Sequence, residues 1–436
     1  MSKKSMSEQK TQMNEKKRMN FKKLPKKLQI WRYRSFKKKH HNESCEIERI
    51  CELQREATQG ADAPQWIDAI NSELKAHQEN GTWSLVERNP GVKTIDSKWV
   101  FKLMRNPEGD VYRYKARLCA RGFLQQRGVD YNETFAPVVR YDSIRVLLAL
   151  VAAEDLELAQ FDIQTAFLHG QLEEEIYMEV PEGLSGEKQS KSARKSAVCK
   201  LNKSLYGLKQ APRCWNKKFS AFLHEFCFKE TEADQCIFVG NVGNESVYLA
   251  LFVDDGLIAA KSLDTLDIML GRLSETFKIT IGDTSMFVGM QIKRDRAKQK
   301  LFIHQSAYAK RIVSKFKMSE AKKASVPIDP NVVLYPVLEN DKKAENVPYR
   351  EAVGSLMFLA VVSRPDIAFA VNTVSKFLNN HNDEHWRAVK RIISYVSGTI
   401  EYGIEYFCSE KACQQPGICS SSQMVLSHGA LKGKSL

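Results

Sequence analysis

The sequence predicts an α+β fold, an antiparallel sheet with helices behind it. Three observations carry that expectation. An apolar strand over residues 156–163 runs up to Asp162 and gives way at once to a new element at Thr165. Two further apolar runs, 247–253 and 257–260, are joined at Asp254-Asp255-Gly256, which reads as a hairpin turn by its Asp-Gly signature. From Ala307 to about Val396 the pattern turns mostly helical.

Taken in order, residues 1–60 are polar and charged, and little order is expected there. Structure begins near Pro64. Trp66, Ile70 and Leu74 recur every four residues, the stripe of an amphipathic helix, with Pro64 in its first turn and Asn80-Gly81 at its end. Residues 98–104 and 111–120 read as two strands around the turn Asn106-Pro107-Glu108-Gly109-Asp110, a hairpin rich in cations. Residues 143–153 are helical, with Ile144, Leu147, Leu148 and Val151 on one face, and the element from Thr165 is closed by Gly170. A low-complexity loop covers 185–197, helices are expected over 218–226 and 265–277, and a strand over 286–293. The candidate helices beyond are 308–316, 349–362, 367–378 and 386–395, with Pro327 and Pro330 marking a linker. After about Tyr406 hydrophobic periodicity is lost, and no fold is assigned to the tail.

The chain has 436 residues, 43% hydrophobic and 27% charged, the composition of a folded protein with two or three subdomains. No run of 18 apolar residues exists, and the N-terminus has no apolar secretory core, so neither a membrane span nor a membrane partner is expected. Net charge is +14, and residues 1–40 hold 15 Lys/Arg against only Glu8 and Glu15. The basicity is thus a property of the leader, suited to phosphate contacts or to a nuclear address. The ten cysteines are scattered without C-x-x-C pairs, and all are read as reduced thiols.

The chemistry rests on carboxylates. Asp254 and Asp255 sit together at the tip of an otherwise apolar hairpin, where like charges are costly unless a cation lies on them. A hard divalent ion such as Mg²⁺ is the usual compensation. Asp162 ends the strand Gln160-Phe161-Asp162-Ile163. If the two strands are sheet neighbours, three carboxylates converge, which suits two metal ions about 3.5–4 Å apart in phosphoryl transfer.

The segments Phe161-Asp162-Ile163-Gln164-Thr165-Ala166-Phe167-Leu168 and Phe252-Val253-Asp254-Asp255 resemble the two catalytic blocks of copia-type reverse transcriptases. The blocks running from Tyr114 to Phe123, Thr134 to Val139, Leu205 to Arg213 and Val353 to Leu356 are similar to others of that family, in the same order. The resemblance implies a right-hand polymerase: fingers and palm over 61–300, a helical thumb or connection over 301–407, a basic leader over 1–60, and an aberrant tail over 408–436. It further implies an RNA-directed DNA polymerase acting on an RNA or DNA template–primer and deoxynucleoside triphosphates, with two Mg²⁺ ions, or Mn²⁺, held by Asp162, Asp254 and Asp255. By the same resemblance Lys115, Arg117, Arg121, Phe167, Tyr206 and Gly207 would bind the nucleotide, with Phe167 as the gate against a ribose 2′-hydroxyl. Phe287, Val288 and Gly289 would form the primer-grip turn. The expected place of work is the cytoplasm, in a virus-like particle, or the nucleus.

Three departures accompany the resemblance. Phe252 stands where the family usually has Tyr, and Gln164 where Lys is common. Beyond Phe407 the carboxylates of a ribonuclease H domain are expected, but residues 408–436 carry only Glu410 as an acid, as though frameshifted or truncated. The protease and integrase segments of a full element are not seen either. Two rival readings follow: an inactive relic that only binds nucleic acid, and a metal-dependent phosphohydrolase using the same aspartates. The second leaves the cationic hairpin unexplained.

Overall fold

The computed structural model describes residues 58–105, 110–184, 196–337 and 346–407. The expectations for the basic leader up to residue 57, the turn at 106–109, the loop at 185–195 and the tail at 408–436 lie outside the described residues.

Helix α1 (Ala63–Glu79) opens the described fold. Strands β1 (Trp83–Glu87), β2 (Thr94–Ile95), β3 (Ser97–Arg105) and β4 (Val111–Ala120) follow, then helix α2 (Tyr141–Ala153) and β5 (Glu157–Ile163). A 3-10 turn (Ala166–His169) leads to β6 (Gln171–Met178), β7 (Ala197–Lys203) and helix α3 (Ala211–Glu225). Next come β8 (Lys229–Glu230), β9 (Ile237–Val242), β10 (Glu245–Phe252), β11 (Asp255–Ala260) and helix α4 (Leu263–Thr276). Strands β12 (Ile279–Gly282), β13 (Met286–Phe287), β14 (Met290–Asp295) and β15 (Lys300–His304) precede helices α5 (Ser306–Lys315), α6 (Tyr349–Val362), α7 (Ala368–Ser375) and α8 (Asp383–Gly398), and β16 (Gly403–Phe407) closes.

The six-stranded sheet, in the order β12-β5-β11-β10-β9-β8, is antiparallel throughout. Both of its faces are covered, which is why its central strands read as continuous apolar runs rather than as an alternation. Val247, Leu249, Leu251, Ile258 and Ala260 face α3 and α4, meeting Trp215, Phe219, Met269 and Leu273. Ala250, Leu257 and Ala259 face the other way, onto Ile144, Leu148 and Val151 of α2 and onto Ile292, Leu301 and Ile303 of a second sheet. That second sheet, β13-β14-β15-β16, takes strands from both sides of residue 300.

The cationic hairpin forms as expected, with β3 and β4 paired from Ser97↔Ala120 onward. Helix α1 clamps it through Trp66, which meets Phe101 and Tyr114 edge-on at 5.1 and 4.8 Å. A smaller sheet, β1-β7-β6-β2, packs beside it and contains one parallel pair, β2 with β6. Helices α5 to α8 share a separate core built on Ile312, Val353, Leu356, Val371 and Ile393.

Four sequence expectations need correction. The hairpin turn falls one residue before the Asp-Gly pair: Phe252 pairs with Asp255, so Val253 and Asp254 form the loop and Gly256 lies in β11. A Cβ on Gly256 would sit 2.0 Å from Cζ of Phe161, so this glycine serves a ring crossing the strand and not a turn. Residues 286–293 are not one strand but the hairpin of β13 and β14, bent at Val288 and Gly289. The region beyond Ala307 ends in β16, which returns to pair Lys300 with Phe407. The helix expected over 367–378 begins as the 3-10 turn Pro365–Ile367.

Candidate active site

Strand alternation and register bring the carboxylates together. Asp162 and Asp255 are direct partners across β5 and β11, so both side chains project from the same face at the same end of the sheet. Asp254 occupies the adjoining loop. Two hydrogen bonds to its carbonyls fix that loop: the Ile163 amide donates to the Asp254 carbonyl at 2.8 Å, and the Trp215 indole Nε1 donates to the Val253 carbonyl at 2.6 Å. Both loops of the site carry a non-glycine residue in the left-handed region, Val253 at φ 61° and Thr165 at φ 55°. For β-branched residues this conformation is unfavourable, and it persists where surrounding structure imposes it.

The three acids repel one another. Burial first, then the charges of Asp254 and Asp162, push the Asp255 carboxyl up from 3.8 to about 6. Burial and the Asp254 charge also raise Asp162, while Lys115, Arg117 and Arg113 pull it back. Among the described residues no three His, Cys, Asp or Glu side chains form a ready-made metal cage. What suits a divalent cation is the donor chemistry: hard carboxylate oxygens at adjoining positions, with the charged forms of Asp162 and Asp255 disfavoured by burial and by their neighbours.

The cations sit on β4. Lys115 and Arg117 share one face of the strand and act electrostatically on Asp162. Arg113 lies on that face too and acts on the same carboxylate. Sequence reasoning passed it over, although the two-residue alternation that selects Lys115 and Arg117 also selects Arg113. Burial, followed by Arg117 and Arg113, lowers the Lys115 ammonium, against the pull of Asp162 and Asp254. Arg121 behaves differently. It lies past the end of β4, its side chain is only 10% exposed, and its Nε stands 3.4 Å from the Asp96 carboxylate. Its position ties the strand end to the turn before β3.

The aromatic members meet. The Phe167 and Tyr206 rings pack edge-on at 5.0 Å, and the Arg117 guanidinium lies 4.8 Å over the Tyr206 ring. Burial pushes the Tyr206 hydroxyl up to about 12, so it stays protonated at neutral pH. Gly207 adopts φ 94°, and a Cβ there would lie 2.1 Å from the Ala120 carbonyl oxygen. With the Ala120 amide donating to the Tyr206 carbonyl at 2.7 Å, this close approach joins the Tyr206-Gly207 loop to the end of β4.

The hairpin at Phe287, Val288 and Gly289 stands on the second sheet. Phe287 is fully buried in the core beneath it, so its side chain anchors the hairpin. Val288 and Gly289 form the bend, with φ 44° and 80°. Tyr141 Oη donates to the Val288 carbonyl at 3.4 Å, and Gln305 Nε2 to that of Gly289 at 3.1 Å. Neither Tyr141 nor Gln305 carried a sequence signal. Trp215 carried none either, since a buried aromatic on an amphipathic helix is most often core alone.

Residues 80–330 match the family described as reverse transcriptase (RNA-dependent DNA polymerase). The Retrovirus-related Pol polyprotein from transposon TNT 1-94 of Nicotiana tabacum is 44% identical over 342 residues, 77% of this chain and 25% of that protein. The corresponding polyproteins from transposons RE2 and RE1 of Arabidopsis thaliana are 35% and 36% identical, over 80% of this chain and 24% and 23% of theirs. The chain spans about a quarter of the length of these relatives.

Proposed function

The chain belongs to the reverse transcriptase (RNA-dependent DNA polymerase) family, and on that premise we propose that it extends a primer on an RNA or DNA template with deoxynucleoside triphosphates. The observation that carries the proposal is the in-register pairing of Asp162 with Asp255 beside the Asp254 loop, under the cationic face of β4. The six-stranded sheet serves as palm, the β3–β4 hairpin as fingers, and α5 to α8 as thumb. Asp162 and Asp254 would hold the divalent ions, Mg²⁺ in our reading, with Asp255 in support. Such ions, when bound, supply charge neutralisation on the phosphates and acidify the primer 3′-hydroxyl.

The protein's own groups do the rest. Lys115, Arg117 and Arg113 face the carboxylates and draw the triphosphate in beside them. Phe167, braced by Tyr206, lies under the sugar and excludes a 2′-hydroxyl. The Tyr206-Gly207 loop shapes the pocket wall, and the Val288–Gly289 bend supports the primer end. The other segments of a Pol polyprotein would be its partners in a full element.

Primer extension by the purified chain on poly(rA)·oligo(dT) with Mg²⁺ tests the reading. Template-dependent synthesis is expected, and phosphate release without extension would overturn it. Phe167→Ala should keep DNA synthesis and raise incorporation of ribonucleotides. An unchanged preference for deoxynucleotides would remove Phe167 from the gate.

A further inference from the structure

We propose that Trp215 is a positioning residue of the polymerase site, whose indole N–H holds the Val253–Asp254 loop in the one conformation that sets Asp254 beside Asp162 and Asp255. This inference rests on the function proposed above and names a residue on the far side of the sheet from the reacting groups.

The loop is under strain of a definite kind. Val253 takes φ 61°, a conformation that costs a β-branched residue free energy and that glycine would accept freely. A two-residue hairpin loop with positive φ at its first position ordinarily has glycine there. Something other than local preference must therefore hold Val253. The Trp215 indole donates to its carbonyl at 2.6 Å, and that bond fixes the orientation of the peptide linking Val253 to Asp254. On the other side of the same loop the Ile163 amide takes the Asp254 carbonyl at 2.8 Å. The two donors grip successive carbonyls, one from α3 and one from β5.

Packing alone does not fix this contact. Trp215 and Val253 both line a cavity of about 260 Å³, together with Pro212, Asn216, Cys236 and Leu251, so there is room on that side for the carbonyl to turn away. On its other side the Trp215 ring is seated firmly, at 5.4 Å from both Phe219 and Phe277. The indole is thus a rigid arm with its donor aimed at a strained loop that the cavity leaves free to relax. Relaxation would move Asp254, the residue that follows.

The test separates the hydrogen bond from the ring. Trp215→Phe keeps an aromatic side chain in the core and removes the N–H. On poly(rA)·oligo(dT), kcat should fall about tenfold, the size expected when a part-buried carbonyl loses its donor, while the KM for dTTP stays within about twofold. Val253→Gly in the same chain should restore most of that loss, because a relaxed φ no longer needs the grip. Hydrogen exchange of the Ile163 amide gives a readout independent of activity: faster in Trp215→Phe, and slowed again in the double variant. A parent-like kcat or parent-like Ile163 exchange in Trp215→Phe overturns the inference, as does a loss that Val253→Gly leaves untouched. If the parent chain does not extend primers, the proposed function fails, and the exchange measurement alone still decides whether Trp215 holds the loop.

Discussion

Two hairpins in this chain turn through a valine with positive φ, and they are built differently. The β10–β11 hairpin turns at Val253 and Asp254, with φ 61° at the valine only. The β13–β14 hairpin turns at Val288 and Gly289, with φ 44° and 80°. The second thus has positive φ at both loop positions, and its glycine sits where a turn wants one. The first has its glycine outside the loop, at Gly256, committed to the ring of Phe161. Donors from other elements hold both: the Trp215 indole and the Ile163 backbone amide grip the first loop, the Tyr141 and Gln305 side chains the second. The difference teaches that a loop carrying a carboxylate toward a site can be shaped almost wholly by tertiary partners. A loop that only presents backbone keeps more of its local turn chemistry.

The sharpest way to break the comparison is to add a methyl group to each glycine. Gly256→Ala places a Cβ 2.0 Å from Phe161 and should cost about 3 kcal/mol, because both faces of the sheet are packed and the ring cannot retreat. Gly289→Ala meets only the tip of Phe358, at 3.3 Å, and should cost about 1 kcal/mol, chiefly for its positive φ. Urea denaturation with unchanged m-values measures both. Equal costs would mean that the two glycines serve the same purpose.

A smaller effect is expected at the valines. Val253→Gly and Val288→Gly should each relieve about 1 kcal/mol of backbone strain, partly offset by the entropy glycine adds to the unfolded chain. The comparison predicts that only Val253→Gly changes the metal dependence of synthesis, since only that loop carries a carboxylate. A shift in metal dependence at Val288→Gly would contradict it.

The smallest effect is on pH. The folded state raises the Asp255 carboxyl from 3.8 to about 6, so ionising it opposes folding. In metal-free buffer its contribution to stability is intact below about pH 4 and is lost as pH rises through about 6. Asp255→Asn should flatten the melting temperature across that window. A slope that persists in Asp255→Asn would assign the effect to other groups.

What was legible in the sequence and what was not divides along physical lines. Apolar patterning over ten or more residues found helices α1, α2, α4 and α6, because burial there follows a repeating face, and the turn residues Asn106 to Asp110 announced the β3–β4 pair. The convergence of Asp162 with the Asp254-Asp255 hairpin was legible only on the condition that their strands are sheet neighbours, and the register that sets Asp162 opposite Asp255 was not, because no local pattern fixes it. The turn at Val253 was not, because its Asp-Gly neighbour carries a local signal that Phe161 overrides. Strands of two residues, such as β2 and β13, have no period to read. The pairing of β15 with β16 joins Lys300 to Phe407 across most of the C-terminal helices, which no local pattern announces. Phe287 was read as part of the primer-grip turn and is core, because the bend begins one residue later.

The central claim is that the three carboxylates form one polymerase centre, and Asp162→Asn tests it most directly. Asn keeps the size of Asp and loses the charge that would hold a divalent ion. In single-nucleotide primer extension with Mg²⁺, the account predicts that the Asp162→Asn chain loses synthesis by about a thousandfold or more, a barrier higher by several kcal/mol. Template–primer affinity should stay within about threefold, because cations contacting phosphates supply it. Synthesis by Asp162→Asn at the parent rate would contradict the account.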